Sequence, residues 1–466
     1  MQRSICLILL ALISGAAARA GAEPLTNLAL YHRCYTQLTQ KRAPAGDALT
    51  IAVGAGSRSA VSACLEVLDR ARFTQLNRTQ IVATDATGVN VLQTIHKLHL
   101  SWFTNKDIVD IDNANPTRDI YDTGDTALYF TRAVFGDAVR FDTIVTSNDT
   151  LRSIRSDDNL TRGPSSNQDR SLSLFGALPE FKFAGKGDLL GFEIAGLRTL
   201  SYSYMLGGTT TRAGSVSLGQ HYGGGILGHP VYLLANVQQA NDFRADGALL
   251  VPRKFARAIF SDLMCREIPV VRDADVGEFV VPASTVSFRN SSSCVRCHAT
   301  IDRASAVIRG FSYDAPGNNE VMNLGVNVPK FTPPALAAET GWPSEPDRDY
   351  YRRPANGVLY YRNFNGELVN LAVTSLQDLG VKLAQQEDLH VCMAKRYYRY
   401  FTGIDVPLSD PGDPAAPPLT AADSAHRAQV IALGRSLKSH QSVRMLIEEI
   451  LTLPIYRESN FGVTPN

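Results

Sequence analysis

Past its first twenty residues the chain has no apolar stretch approaching the ~20 residues that a membrane-spanning helix requires, so no later segment is expected to cross a bilayer. It has no run of Lys or Arg either. Its 46 basic side chains are offset by 45 acidic ones, for a net charge of +1. That interspersed, near-neutral balance excludes nucleic acid or an anionic membrane as the main partner. Gly-x-Ser-x-Gly, His-Glu-x-x-His and the Walker pattern are all missing, which removes the basis for a serine hydrolase, a zinc protease or an ATPase. Cysteine is scarce, at seven residues, and no second C-x-x-C and no H-x-x-x-H accompanies the one described below. A closed structural zinc site would therefore lack its fourth ligand.

The first feature present is an export signal. Arg3 supplies a positive start, Ile5 to Ile13 an apolar core too short to span a membrane, and Ala18-Arg19-Ala20 a small-x-small cleavage site before Gly21. No cysteine follows the cleavage site, so a lipid anchor there is unsupported. The expectation is a mature protein in the periplasm or at the cell surface, with residues 1–20 removed.

The second feature is Cys294-Val295-Arg296-Cys297-His298, a complete C-x-x-C-H. Two thiols three residues apart face the same way on a helical turn and can reach both vinyl groups of one porphyrin. The histidine after the second cysteine then lies beneath the ring, where its imidazole can bind the iron. The expected cofactor is one covalent haem c, on Cys294 and Cys297 with His298 as axial ligand. The competing readings are a Cys294–Cys297 disulfide or a zinc site that includes His298.

Cys6 falls in the leader, and Cys34, Cys64, Cys265 and Cys392 remain. Four cysteines allow three pairings, and spacing alone does not choose. An oxidising compartment favours disulfides. Cys34 and Cys64 both lie on apolar helical faces, which makes them the expected pair and leaves Cys265 with Cys392. The alternative is that one pair stays as buried thiols.

The periodicity is mainly helical. Leu30, Cys34 and Leu38 form one stripe, Pro44-Ala45-Gly46 breaks it, and Val61, Cys64, Leu65 and Leu68 form the next. Val91 to Phe103 carries His96 and His99 with Trp102 close by, a spacing that suits a metal or haem ligand pair but more often marks core histidines. Residues 104–220 are turn-rich, with a short helical run at Thr126 to Val134. Gly223-Gly224-Gly225 lacks the features of a phosphate loop and reads as a turn, flanked by His221 and His229, which are candidate distal groups. Glu278 to Phe288 reads as a strand leading into the motif, and Ala299 to Phe311 as a helix against the porphyrin. Met322, in a Pro-rich loop, is the candidate second axial ligand. Tyr360 to Val369 reads as a hairpin with an Asn365-Gly366 turn. The helix through Leu389, Cys392 and Tyr400 ends at Gly403, Pro407 to Ala422 reads as a linker, and Val443 to Leu451 is the last helix.

Several stretches together resemble the planctomycete-type c-type cytochromes, large exported proteins with one C-x-x-C-H. They are Gly225-Ile226-Leu227-Gly228-His229-Pro230, Leu263-Met264-Cys265-Arg266-Glu267-Ile268-Pro269, Cys294 to Asp302, Asn365-Gly366-Glu367-Leu368, and Cys392-Met393-Ala394-Lys395-Arg396-Tyr397 through Gly403. The likeness spans roughly residues 220–460. It implies a mostly helical fold, haem c on Cys294, Cys297 and His298, and electron transfer outside the cytoplasm. It also lends weight to pairing Cys265 with Cys392, because the family has cysteines there. Where members have Ile-Asp-Pro, this chain has Ile301-Asp302-Arg303, which puts the family's haem environment in doubt.

These readings predict a mainly α protein with long irregular loops, a few short strands and a cytochrome-c-like haem segment. The expected divisions after the leader are an N-terminal helical domain (21–110), an irregular and helical middle domain (111–260), a haem-attachment segment (261–345) and a C-terminal helical domain (346–466). The leading functional expectation is a periplasmic mono-haem electron carrier with a redox partner protein. A haem-dependent oxidoreductase with an open iron site and a surface binding protein with structural haem are the alternatives.

Overall fold

The computed structural model describes residues 23–72, 83, 85–105, 122–156, 187–195, 198–206, 210–218, 221–236, 252–284, 287–309, 312–313, 323–324, 326–327, 354–459 and 461. The export signal and Met322 lie outside the described residues. The fold is mainly helical.

Three helices open it: α1 (Asn27–Thr39), α2 (Ala48–Gly54) and α3 (Ala60–Asp69). Each starts on a residue whose side chain accepts from a free backbone N–H of the first turn: Thr26, Asp47 and Ser59. The apolar stripes read from the sequence are the buried faces, and Cys34–Cys64 joins α1 to α3. α4 (Ala86–Leu100) packs on both, and α5 (Leu128–Phe135) packs on α4.

The turn-rich middle contains strands. β1 (Thr150–Arg155) pairs antiparallel with β2 (Leu189–Ala195), and β3 (Arg198–Leu206) with β4 (Thr210–Leu218). The alternation Leu200-Ser201-Tyr202-Ser203-Tyr204 is the period-two signal for β3. Then come α6 (Pro230–Asn236) and α7 (Arg253–Ala258), the latter running into a π turn that reaches Leu263.

The strand expected over Glu278 to Phe288 is not formed among the described residues of that stretch. Short 3-10 turns occupy Gly277–Phe279 and Ser287–Asn290. Val280 and Val281 favour a strand, but a strand needs a neighbouring backbone to bond, and Pro282 withholds one N–H. Val281 N instead donates to the Arg289 carbonyl (2.8 Å), closing a loop.

The C-x-x-C-H motif lies inside one continuous helix, α8 (Ser292–Ser305). The hairpin follows as β5 (Gly357–Arg362) and β6 (Leu368–Val373), with Gly366 at φ 83° in its turn. Helices α9 (Leu376–Gln385), α10 (Glu387–Thr402), α11 (Ala421–His440) and α12 (Val443–Thr452) complete the chain. Gly403 ends α10 in the left-handed conformation, as its position implies. α11 was not legible as apolar periodicity. Its signal is the reciprocal cap between Thr420 and Asp423, in which each side chain accepts from the other's backbone N–H.

A buried core runs from Leu30 to Tyr456 and draws on all of these helices. A second, small core of Val271, Val276, Val295, Ala299 and Tyr360 lies under α8. The segment after Gly403 is packed in place: Leu408 is buried, Asp410 pairs with Arg272, and Arg427 donates to the Pro407 carbonyl at 2.7 Å.

Candidate functional site

The two residues between the cysteines fasten the motif. Val295 is fully buried in the small core. Arg296 donates through Nε to the Val271 carbonyl (2.9 Å) and through Nη2 to Asp413 (2.7 Å). Val295, Ala299 and Asp302 make the buried stripe at i, i+4 and i+7, and Thr300 donates its hydroxyl to the Tyr360 carbonyl at 2.8 Å. Arg303, where the resembling family has proline, lies over the rings of Tyr360 (4.8 Å) and Phe279 (5.2 Å).

With these residues holding α8, the three remaining positions are presented together. Cys294 is exposed, Cys297 half-buried, and both are free thiols, whereas Cys34–Cys64 and Cys265–Cys392 are disulfides. Burial pushes the Cys297 thiol above its ordinary range, with Arg296 pulling the other way.

His298 is held from two directions. Its Nδ1 lies 3.0 Å from Asp302 Oδ2, one turn along the helix, and its ring stacks on Phe288 at 3.9 Å between centroids and 13° between planes. Asp302, with 3% of its side chain exposed, is itself gripped by Arg253 through Nε to Oδ1 and through Nη2 to Oδ2 (3.1 Å). A carboxylate acceptor leaves the proton on Nδ1 and the lone pair on Nε2, which no described protein atom hydrogen-bonds.

This donor set fits haem c. Two reduced thiols at i and i+3 can each add to a vinyl group, and an imidazole at i+4 offers Nε2 to iron. No disulfide joins Cys294 to Cys297. Among the described residues no group of three or more His, Cys, Asp or Glu is arranged to hold a metal ion.

Of the other candidate histidines, His99, His221 and His229 have both ring nitrogens engaged, and His96 only one. His99 Nδ1 meets the Thr131 hydroxyl (2.9 Å) and Nε2 the Tyr397 hydroxyl (2.6 Å). His96 shares Thr131 (3.1 Å), while its buried Nε2 has no partner. His221 accepts from Gly223 N and donates to the Gly225 carbonyl, pinning the glycine turn. His229 accepts from Val231 N and donates to the Leu151 carbonyl. The glycines of that turn have φ of +89°, +75° and +59°, and a Cβ on Gly224 or Gly225 would lie 2.2 Å or 2.1 Å from a carbonyl oxygen. Packing of the turn against Leu376 and Ile144 explains the run of glycines.

Sequence reasoning missed Asp302, Arg253, Phe288 and Asp413 as parts of the site. Asp302 was signalled by its i+4 spacing from His298 and Phe288 lies in the turn just before α8, whereas Arg253 and Asp413 come from distant segments. No family model matches the chain, and no curated protein or solved structure matches it.

Proposed function

We propose that the chain is an exported mono-haem c-type cytochrome of the planctomycete type, transferring electrons to or from a redox partner protein in the periplasm or at the cell surface. One observation carries the reading. In a fold that pairs its other four described cysteines, Cys294 and Cys297 remain thiols on one helix, beside an imidazole whose Nδ1 is already engaged.

In attachment, each thiol adds S–H across one vinyl C=C, sulfur to one carbon and hydrogen to the other, with no net redox change. Haem c supplies a one-electron couple at iron. His298 Nε2 would hold the iron, with Phe288 stacked on the imidazole to restrict its rotation, and Val295 with Arg296 would fix the attachment helix in place. Met322 is the proposed second axial ligand. The tie-up of His99, His221 and His229 supports the carrier reading over an enzyme with a distal histidine.

The test is the visible spectrum of protein exported with a haem-c maturation system, before and after dithionite and after acid–acetone extraction. The expected result is colour that stays with the polypeptide and a sharp reduced α-band, with a near-infrared band for methionine ligation. Cys294→Ser/Cys297→Ser should lose the covalent colour. A colourless wild-type protein overturns the reading.

A further inference from the structure

We propose that Asp302 is a positioning residue that sets the donor strength of the axial imidazole, and that Arg253 limits its effect; this rests on haem c being held by His298. A histidine ligand's basicity depends on what its second nitrogen bonds. A carboxylate acceptor strengthens it, and a neutral acceptor does so less. Here the acceptor is a carboxylate, 3.0 Å from Nδ1 and removed from solvent, where charge–dipole interactions are little screened.

Arg253 counters part of that charge. It bonds both Asp302 oxygens, sharing Oδ2 with His298, and its guanidinium lies 5.4 Å from the Phe288 ring that stacks on His298. The arrangement is therefore a chain from a partly exposed arginine to a buried carboxylate to the imidazole. A charged acceptor at Nδ1 favours the ferric iron, whose extra positive charge it stabilises, and so lowers the reduction potential. Removing the arginine's competition increases that pull.

The potential of the holoprotein tests this. Asp302→Asn keeps the side chain's shape and replaces the charged acceptor with a neutral one. It should leave the haem covalently attached and raise the potential by about tenfold in the one-electron equilibrium constant, 59 mV. Arg253→Gln should shift it the other way. Attached haem with unchanged potentials in both variants would overturn the proposal and leave the cytochrome reading intact; a colourless wild type would instead remove that reading. Should Asp302→Asn not fold, nitrogen-15 NMR of His298 in protein made without haem maturation gives a second readout. The Nδ1–H tautomer should predominate in the wild type and give way to a mixture in Asp302→Glu, whose longer side chain misplaces the acceptor. An unchanged tautomer there, together with an unchanged potential in Arg253→Gln, would also overturn it.

Discussion

His96, His99, His229 and His390 are buried and held neutral, and that makes the protein sensitive to acid. Burial lowers His96 and His390 to about 4, His229 to about 3, and His99 well below its ordinary value. Their folded values lie below the unfolded one of about 6.5, so the stability they carry is present above pH 6.5 and lost as pH falls toward 4. Three carboxyls oppose this, among them Asp262, which burial raises above its ordinary range. Burial raises Asp125 to about 7, helped by the charge of Asp122, and raises Asp388 to about 6. Their contribution is present below about pH 4 and lost as pH rises to those values. With His221 also lowered by burial, the histidines outweigh these carboxyls, so stability should fall by roughly 1–3 kcal/mol per pH unit between pH 6.5 and 5. Denaturant unfolding across that range is the measurement, and His229→Gln should flatten the slope by about one proton. A flat wild-type profile would contradict the assignment. The residues of the motif were readable one by one, because C-x-x-C-H is local. The sequence favoured a core role for His96 and His99, which are buried, but could not name the partners that occupy the histidines, since these come from elsewhere: Thr131, Tyr397 and Leu151.

Among the elements, α8 illustrates how a short motif depends on non-local support. Its periodicity is visible, but its anchors come from β5 (Tyr360), the loop at Val271 and the segment around Asp413. α10 and α11 meet by close backbone approach, where a Cβ on Gly434 would lie 2.6 Å from Val391 Cα. Neither helix can slide aside, because α10 is also tied to the π turn by Cys265–Cys392. Gly434→Ala should therefore destabilise by about 1–3 kcal/mol despite alanine's better helix propensity, read as a lower urea midpoint at constant slope. Stabilisation would mean that the helix pair adjusts freely. Most helices were legible from apolar stripes and caps. The strand expected before the motif was not formed, because strand propensity is realised only where a partner backbone lies alongside.

Over the whole molecule, the first and last described segments close on each other. Leu25 N donates to the Arg457 carbonyl (2.8 Å), and Arg33 donates to the carbonyls of Tyr456, Glu458 and Ser459. Gln37 of α1 bonds both Phe401 and Tyr456. Cys265–Cys392, spanning 127 residues, is the longer of the two covalent ties and contributes about 5 kcal/mol in the chain-entropy model. Cys265→Ala/Cys392→Ala should lower unfolding free energy by about 2–5 kcal/mol while leaving the covalent colour of the proposed haem unchanged, as calorimetry and the reduced spectrum would report. Loss of colour with retained fold would instead tie this disulfide to the site.

The sequence by itself determined the helical class, the stripes of several helices and the C-x-x-C-H on which the haem proposal rests, because stripes, caps and that motif are written in adjacent residues. Only the tertiary structure decided which cysteines pair, that α1 and α12 share a core with the described helices between them, and that Arg253 grips the Asp302 carboxylate that holds His298. Those contacts join segments from tens to hundreds of residues apart, or depend on which face of a helix is buried. Local pattern carries neither kind of information, because each is settled when the whole chain competes to bury its apolar surface and pair its polar groups.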